Sequence, residues 1–208
     1  QRVSESSVIA ISIQSMNYGD IPITTVENPE GNIGFFSPRT NVFNIGYART
    51  FSSSIYGGIN FKVISENISN LKATGIAIDA GIRYVTGEQE QVKFGITLKN
   101  VGPVMKYKGD GLAQQAAYVT TGFIASLEER SSAFEMPSLL SIGGSYDFIF
   151  NESNKLNLGL GFTANSFSND QYRIGLDYGM TNERMAFNIR GGYVYEKNLL
   201  DVENRSNA

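Results

Sequence analysis

The side chains able to do chemistry in this chain are carboxylates, lysines and arginines, because it has no His and no Cys. Without His there is no Ser-His-Asp triad, no imidazole proton shuttle and almost no transition-metal site. Without Cys there is no thiolate nucleophile, no disulfide and no sulfur-bound zinc. What remains is a set of regularly placed charges: Lys62, Asp79, Arg83, Lys93, Lys99, Asp147, Arg173, Asp177 and Arg190. Asp79 and Arg83 stand four apart, as do Arg173 and Asp177, which on an extended chain puts each pair on one face without adjacency. Acid–base catalysis by two carboxylates needs a defined separation, and no spacing here fixes one. The expectation is a non-enzyme with no catalytic residues, no metal and no cofactor. The charges then line a solvated interior as ion pairs, or form a constriction that selects solutes.

The elements that must carry these charges alternate with period two. Ile76, Ile78, Ala80, Ile82 and Tyr84 oppose Gly75, Ala77, Asp79, Gly81 and Arg83. Val92, Phe94, Ile96 and Leu98 oppose Lys93, Gly95, Thr97 and Lys99, and Tyr172, Ile174, Leu176, Tyr178 and Met180 oppose Arg173, Gly175, Asp177 and Gly179. The same rhythm runs through 9–13, 43–48, 55–63, 140–148, 156–162 and 185–195, with a weaker strand at 21–27. About ten strands of roughly 10 residues result, longer than the usual five or six and long enough to cross a tilted bilayer. The non-apolar face is Gly, Ser and Asn mixed with charge, and Tyr84, Phe148, Tyr172 and Tyr195 lie near strand ends as an interfacial girdle would. The pattern predicts an all-β, antiparallel transmembrane barrel rather than a soluble sandwich. Its lumen-lining residues are Lys62, Asp79, Arg83, Lys93, Asp147, Arg173, Asp177 and Arg190.

Connections sort into two sets. Those at 17–20, 52–53, 86–90, 149–154 and 181–184 are short and rich in turn formers. Those at 28–41, 65–72, 102–137 and 166–170 alternate with them and are mostly longer, which assigns the long set to the extracellular rim. The longest, Gly102 to Pro137, includes a stretch from Leu112 to Arg130 whose Ala, Gln and Leu content supports a short helix. Its Met105, Tyr107, Tyr118, Phe123, Phe134 and Met136 are candidates for a partner-binding surface, since Met and aromatic side chains mark interfaces. The alternative is that they fold the loop over the rim or plug the lumen.

The remaining composition bounds the answer. The chain has 208 residues, one domain's worth, with a net charge of -3 that speaks against nucleic acid. Charged residues are 18 %, below the roughly 25 % of soluble domains. No run of 18 apolar residues predicts a membrane helix, and no basic n-region with an apolar core predicts a signal peptide. A polar tail after Glu196 and the lack of a closing strand lead to the expectation of further barrel beyond both ends.

Taken in order, several segments resemble a known family. They are Asn44-Ile45-Gly46-Tyr47-Ala48-Arg49-Thr50-Phe51, Tyr56-Gly57-Gly58-Ile59-Asn60-Phe61, Ala77-Ile78-Asp79-Ala80-Gly81-Ile82-Arg83-Tyr84 and Phe94-Gly95-Ile96-Thr97-Leu98-Lys99-Asn100-Val101-Gly102. Met136-Pro137 and Ile142-Gly143-Gly144-Ser145-Tyr146 follow. The series resembles the PorV/PorQ family of FadL-like outer-membrane proteins, nearest its PorV members through Arg190-Gly191-Gly192-Tyr193, and covers about residues 5–196. Each motif alone is generic barrel sequence; the order carries the likeness. The family's Asn-Pro-Ala-Gly-like N-terminal segment has no match here, and Asn28-Pro29-Glu30-Gly31 is not an obvious replacement. The resemblance implies a barrel of about fourteen strands when complete, sited in the outer membrane of Bacteroidota with its long loops extracellular. It implies a part in the type IX secretion system, binding the C-terminal signal domains of cargo. Its partners would be membrane lipid, a SprA-type translocon pore and a sortase-containing attachment complex. The alternative function is a FadL-type channel for hydrophobic solutes, which the small, polar, charged lumen face suits poorly.

Overall fold

The computed structural model describes residues 2–117, 124–182 and 185–196. Nine long antiparallel strands of 10 to 16 residues dominate: β2 (Ser7–Asn17), β5 (Arg39–Thr50), β6 (Ile55–Ile68), β7 (Leu71–Thr86), β8 (Val92–Val101), β12 (Leu139–Asn151), β13 (Asn154–Asn165), β14 (Gln171–Asn182) and β15 (Met185–Glu196). Short strands complete the set: β1 (Arg2–Ser4), β3 (Ile21–Pro22), β4 (Phe35–Phe36), β9 (Tyr107–Lys108), β10 (Ala113–Ala117) and β11 (Ile124–Glu128). One sheet runs β1-β2-β5-β6-β7-β8-β12-β13-β14-β15, with β9 added to β7. Among the described residues β1 and β15 are its two edges.

Strict alternation in register gives the sheet two unlike faces. Along one row of Cα partners Tyr56, Arg83, Gly95, Gly143, Gly161 and Arg173 follow one another across six strands. On the opposite face a neighbouring row reads Gly57, Ile82, Ile96, Ile142, Phe162 and Tyr172. The large apolar side chains are the exposed ones, with Ile76 at 45 % and Phe94 at 44 %. The small, polar face holds the buried residues, including Ala73, Ala77, Val85, Asp147 and Thr163. One cavity of about 870 Å³ touches Val8 on β2 and Ser145 on β12. Strands five apart in a flat sheet would be about 24 Å from each other, so the sheet curls around its polar face.

Three expectations need correction. The strand expected at 21–27 shrinks to Ile21–Pro22, paired with Phe35–Phe36. Pro22 gives no amide to a ladder, and Thr25 and Asn28 close a local turn by mutual backbone bonds of 3.2 and 3.1 Å. The expected loop at 65–72 is a continuous hairpin with Ile68 opposite Leu71 and Ser69 at φ 51. Its polar residues mark strands that outrun their apolar band, not a loop. The expected helix within 112–130 is a single 3-10 turn, Asp110–Leu112, followed by the hairpin β10–β11, with Ala113 opposite Glu128 and Ala117 opposite Ile124. Helix propensity is a weak prior that cross-strand pairing overrides. The rims regroup accordingly. Connections 18–38, 69–70 and 166–170 and the described parts of 102–138 share one rim, while 51–54, 87–91 and 152–153 share the other. The rim asymmetry persists, carried by the two longest connections.

Candidate functional site: a strap over a charged trough

The site begins with an irregularity in the sheet. Ile78 pairs with Val101 and Ala80 with Leu98, so β8 carries one more residue than β7 across this step. Asn100 absorbs the difference with φ 58, a left-handed conformation Asn tolerates better than most residues. Its amide then donates to Asp79 Oδ1 at 2.8 Å, and its side-chain oxygen accepts from Lys62 Nζ at 2.7 Å. Lys62 also pairs with Asp79 Oδ2 at 2.7 Å, both side chains only 17 % exposed. Asn60 Nδ2 donates to the same Oδ2 at 3.2 Å and to Asn44 Oδ1 at 3.4 Å, and Asn44 Nδ2 donates to Ser12 Oγ at 3.2 Å. A polar layer therefore crosses the interior face from β2 to β8. Every donor and acceptor counted here has a partner, which is what a half-buried charge requires.

A strap from the long connection packs on β7 beside this layer and is tied to it through Asn100. Met105 and Phe134 exchange backbone bonds of 2.7 and 2.9 Å, bringing the two ends of the connection together. The Met105 side chain is 1 % exposed and packs on Ala73 and Ala77. Gly75 makes room for it, since a Cβ there would stand 2.6 Å from Met105 Cγ. Gly102 does the same at the strap's root, where a Cβ would meet Ile76 O at 2.1 Å. Tyr107 stacks on Phe134 with ring centroids 5.2 Å apart, and Met136 joins the same buried cluster. Two polar ties fasten the strap: Asn100 Nδ2 to Pro137 O at 2.8 Å, and Tyr107 Oη to Glu66 Oε2 at 2.7 Å. Burial and the Glu66 carboxylate together push the Tyr107 hydroxyl up to about 12, so it stays a donor.

Beyond the strap the interior face carries two further ion pairs. Lys93 bonds Asp147, which also accepts from Asn157 Nδ2. Arg190 Nε bonds Asp177 Oδ2 at 2.8 Å. The alternation places all eight of the expected interior charges on this face. It joins Lys62 to Asp79, Lys93 to Asp147 and Arg190 to Asp177 across neighbouring or bridged strands. It leaves the pairs four apart in sequence, Asp79 with Arg83 and Arg173 with Asp177, without an ion pair. Arg173 instead donates to Gln171 Oε1 at 2.6 Å.

Of the six expected partner-binding residues, Met105 and Met136 are buried and Tyr107 and Phe134 half-buried against the sheet. Tyr118 and Phe123 lie outside the described residues. The four described side chains shape and fasten the strap rather than present a surface. Sequence reasoning missed Asn60, Asn100 and Glu66, which complete the polar layer and the latch. For Asn100 a signal existed: an Asn breaking the alternation just before Val101-Gly102-Pro103.

Together the fold and site define an antiparallel sheet that is apolar and exposed outside, charged and bonded inside. No protein-family model matches the chain, and no curated protein matches it significantly.

Proposed function

We propose that the chain is the strand-bearing body of an outer-membrane β-barrel of FadL-like type, serving as a non-catalytic adaptor in protein secretion. One observation carries the membrane part: the large apolar side chains of nearly every long strand face outward and are exposed. Such a face in water would be a continuous apolar patch far larger than a soluble monomer tolerates. Hydrocarbon covers it without penalty. A 12-residue strand reaches about 40 Å, and about 30 Å along the normal when tilted about 40°, matching a bilayer core. Tyr84 and Phe148 stand toward one rim and Tyr172 and Tyr195 toward the other, all exposed, as two interfacial girdles would.

The secretion role rests on the ordered resemblance to the PorV/PorQ family and on the long connection. The strap pins that connection to the rim, and the hairpin β10–β11 lies within the same connection, tied at its base by Glu129 N to Leu112 O at 2.8 Å. On this reading the barrel anchors the hairpin beside the membrane, where it meets a cargo C-terminal domain, a SprA-type pore or a sortase-containing complex. Deleting residues 113–128 while keeping the strap is the test. The shortened protein is expected to insert into membranes normally and to lose co-purification of cargo and translocon. Undiminished co-purification would refute the hairpin's role.

A further inference from the structure

The interior charges do not balance. Asp79, Asp147 and Asp177 each hold a cation of their own, Lys62, Lys93 and Arg190. Arg83 and Lys99 lie on the same face and, among the described residues, neither forms an ion pair or a hydrogen bond. Both point into open space. Arg83 lines the cavity of about 870 Å³, and Lys99 lines one of about 370 Å³. The two cavities share Gly58, Gly81 and Thr97 as floor and are one continuous trough. Arg83 is level with Gly95 on β8, so Lys99, four residues further along that strand, stands about 13 Å away. The surplus is local, since the whole chain carries a net charge of -3.

The floor adds to the argument. Gly95 stands in register between Arg83 and Gly143. A Cβ at Gly95 would meet nothing closer than Ile82 O at 3.6 Å. No neighbour in the sheet forces that position to be glycine, so its missing side chain leaves room beside a free guanidinium.

We propose that this trough binds an oxygen anion, with Arg83 as the forked primary ligand and Lys99 as a second station. Arg suits the first role because its planar donors match a carboxylate or phosphate in two bonds; Lys suits the second as a point charge. The chemistry is shared by a free oxyanion and by an anionic lipid headgroup. This inference does not depend on the secretion role, because it concerns the interior face and not the hairpin.

The test uses the full chain purified in a zwitterionic detergent, titrated calorimetrically with inorganic phosphate and, separately, with phosphatidylglycerol in mixed micelles. Arg83→Gln and Lys99→Gln are each expected to weaken binding about tenfold, the loss of one charge-assisted contact. The double variant is expected to abolish it. Neither side chain supports the sheet by a bond, so both variants should fold, which the heat-dependent gel shift of the barrel checks. Asp147→Asn, which frees Lys93 beside Arg83 in the larger cavity, should tighten binding. Phosphate binding that depends on Arg83 identifies a free anion. Binding of phosphatidylglycerol alone, with the same dependence, identifies a headgroup. No binding of either, or binding indifferent to the double variant, overturns the proposal.

Discussion

An arginine scan along the outward positions of β14 offers the sharpest trial of the membrane reading. Tyr172, Ile174, Leu176, Tyr178 and Met180 all face outward and all are exposed. Tyr172 lies near the rim with the long connections and Met180 near the other. Leu176 is midway, about 13 Å along the strand from each. If hydrocarbon covers this face, an arginine at 176 should cost about 2–4 kcal/mol, falling to about 0–1 kcal/mol at 172 and 180. If water covers it, exchanging an exposed Leu for Arg should change stability by no more than about 0.5 kcal/mol at any position. The two cases differ in shape as well as size. A bilayer gives a bell centred on 176, and water gives a flat line. Reversible urea unfolding from phospholipid vesicles, read by tryptophan-free methods such as heat-dependent gel mobility, measures each variant. An arginine at 175, between two outward positions but turned inward, is the internal control for depth without lipid contact. A flat profile, or a maximum at either end, would refute the bilayer argument and remove the basis for a membrane anchor.

Four further outcomes follow from the strap and the polar layer beside it. Met105→Ala empties a site that is 1 % exposed and should cost about 2–4 kcal/mol of strap closure, seen as faster hydrogen exchange at the Met105 and Phe134 amides. Gly75→Ala should harm the native strap yet be tolerated beside Met105→Ala, because the three atoms nearest the added Cβ all belong to the Met105 side chain; a double-mutant cycle without that coupling would contradict the packing. Tyr107 is neutral in the latch and its ionisation is raised to about 12 from 10, so its contribution holds below pH 10 and is lost as pH climbs through about 12. Absorbance at 295 nm, taken as the difference from Tyr107→Phe, should show that late step, and Glu66→Gln should move it earlier. Asp79→Asn strips a half-buried lysine of its countercharge and should cost about 3 kcal/mol or more, whereas adding Lys62→Met to Asp79→Asn, which keeps an acceptor for the Asn100 amide, should recover much of the loss in urea unfolding.

The sequence was readable wherever a physical constraint acts at a spacing of two residues, and opaque wherever it acts between distant ones. Ile76 to Tyr84 and Tyr172 to Met180 announced their faces because a strand turns each side chain over in sequence order. The outward direction of the apolar set was legible too, since Gly, Ser and Asn with charge make a poor core but a good water-filled interior. The segment at 65–72 misled because polar residues end an apolar band without ending a hydrogen-bonded ladder, and only the facing strand decides the latter. The stretch after Leu112 misled for the mirror reason: Ala and Gln favour a helix locally, while pairing between 113–117 and 124–128 depends on closing a loop. The charge pairs show the same division. Spacing put Asp79 and Arg83 on one face, but bonds form across strands, so Asp79 found Lys62 through the hairpin register and Asn100 through a bulge. Arg83 was left without a carboxylate by that same choice. The alternation that turns the apolar side chains outward thus also decides which interior charges are spent on the fold and which are left without a partner.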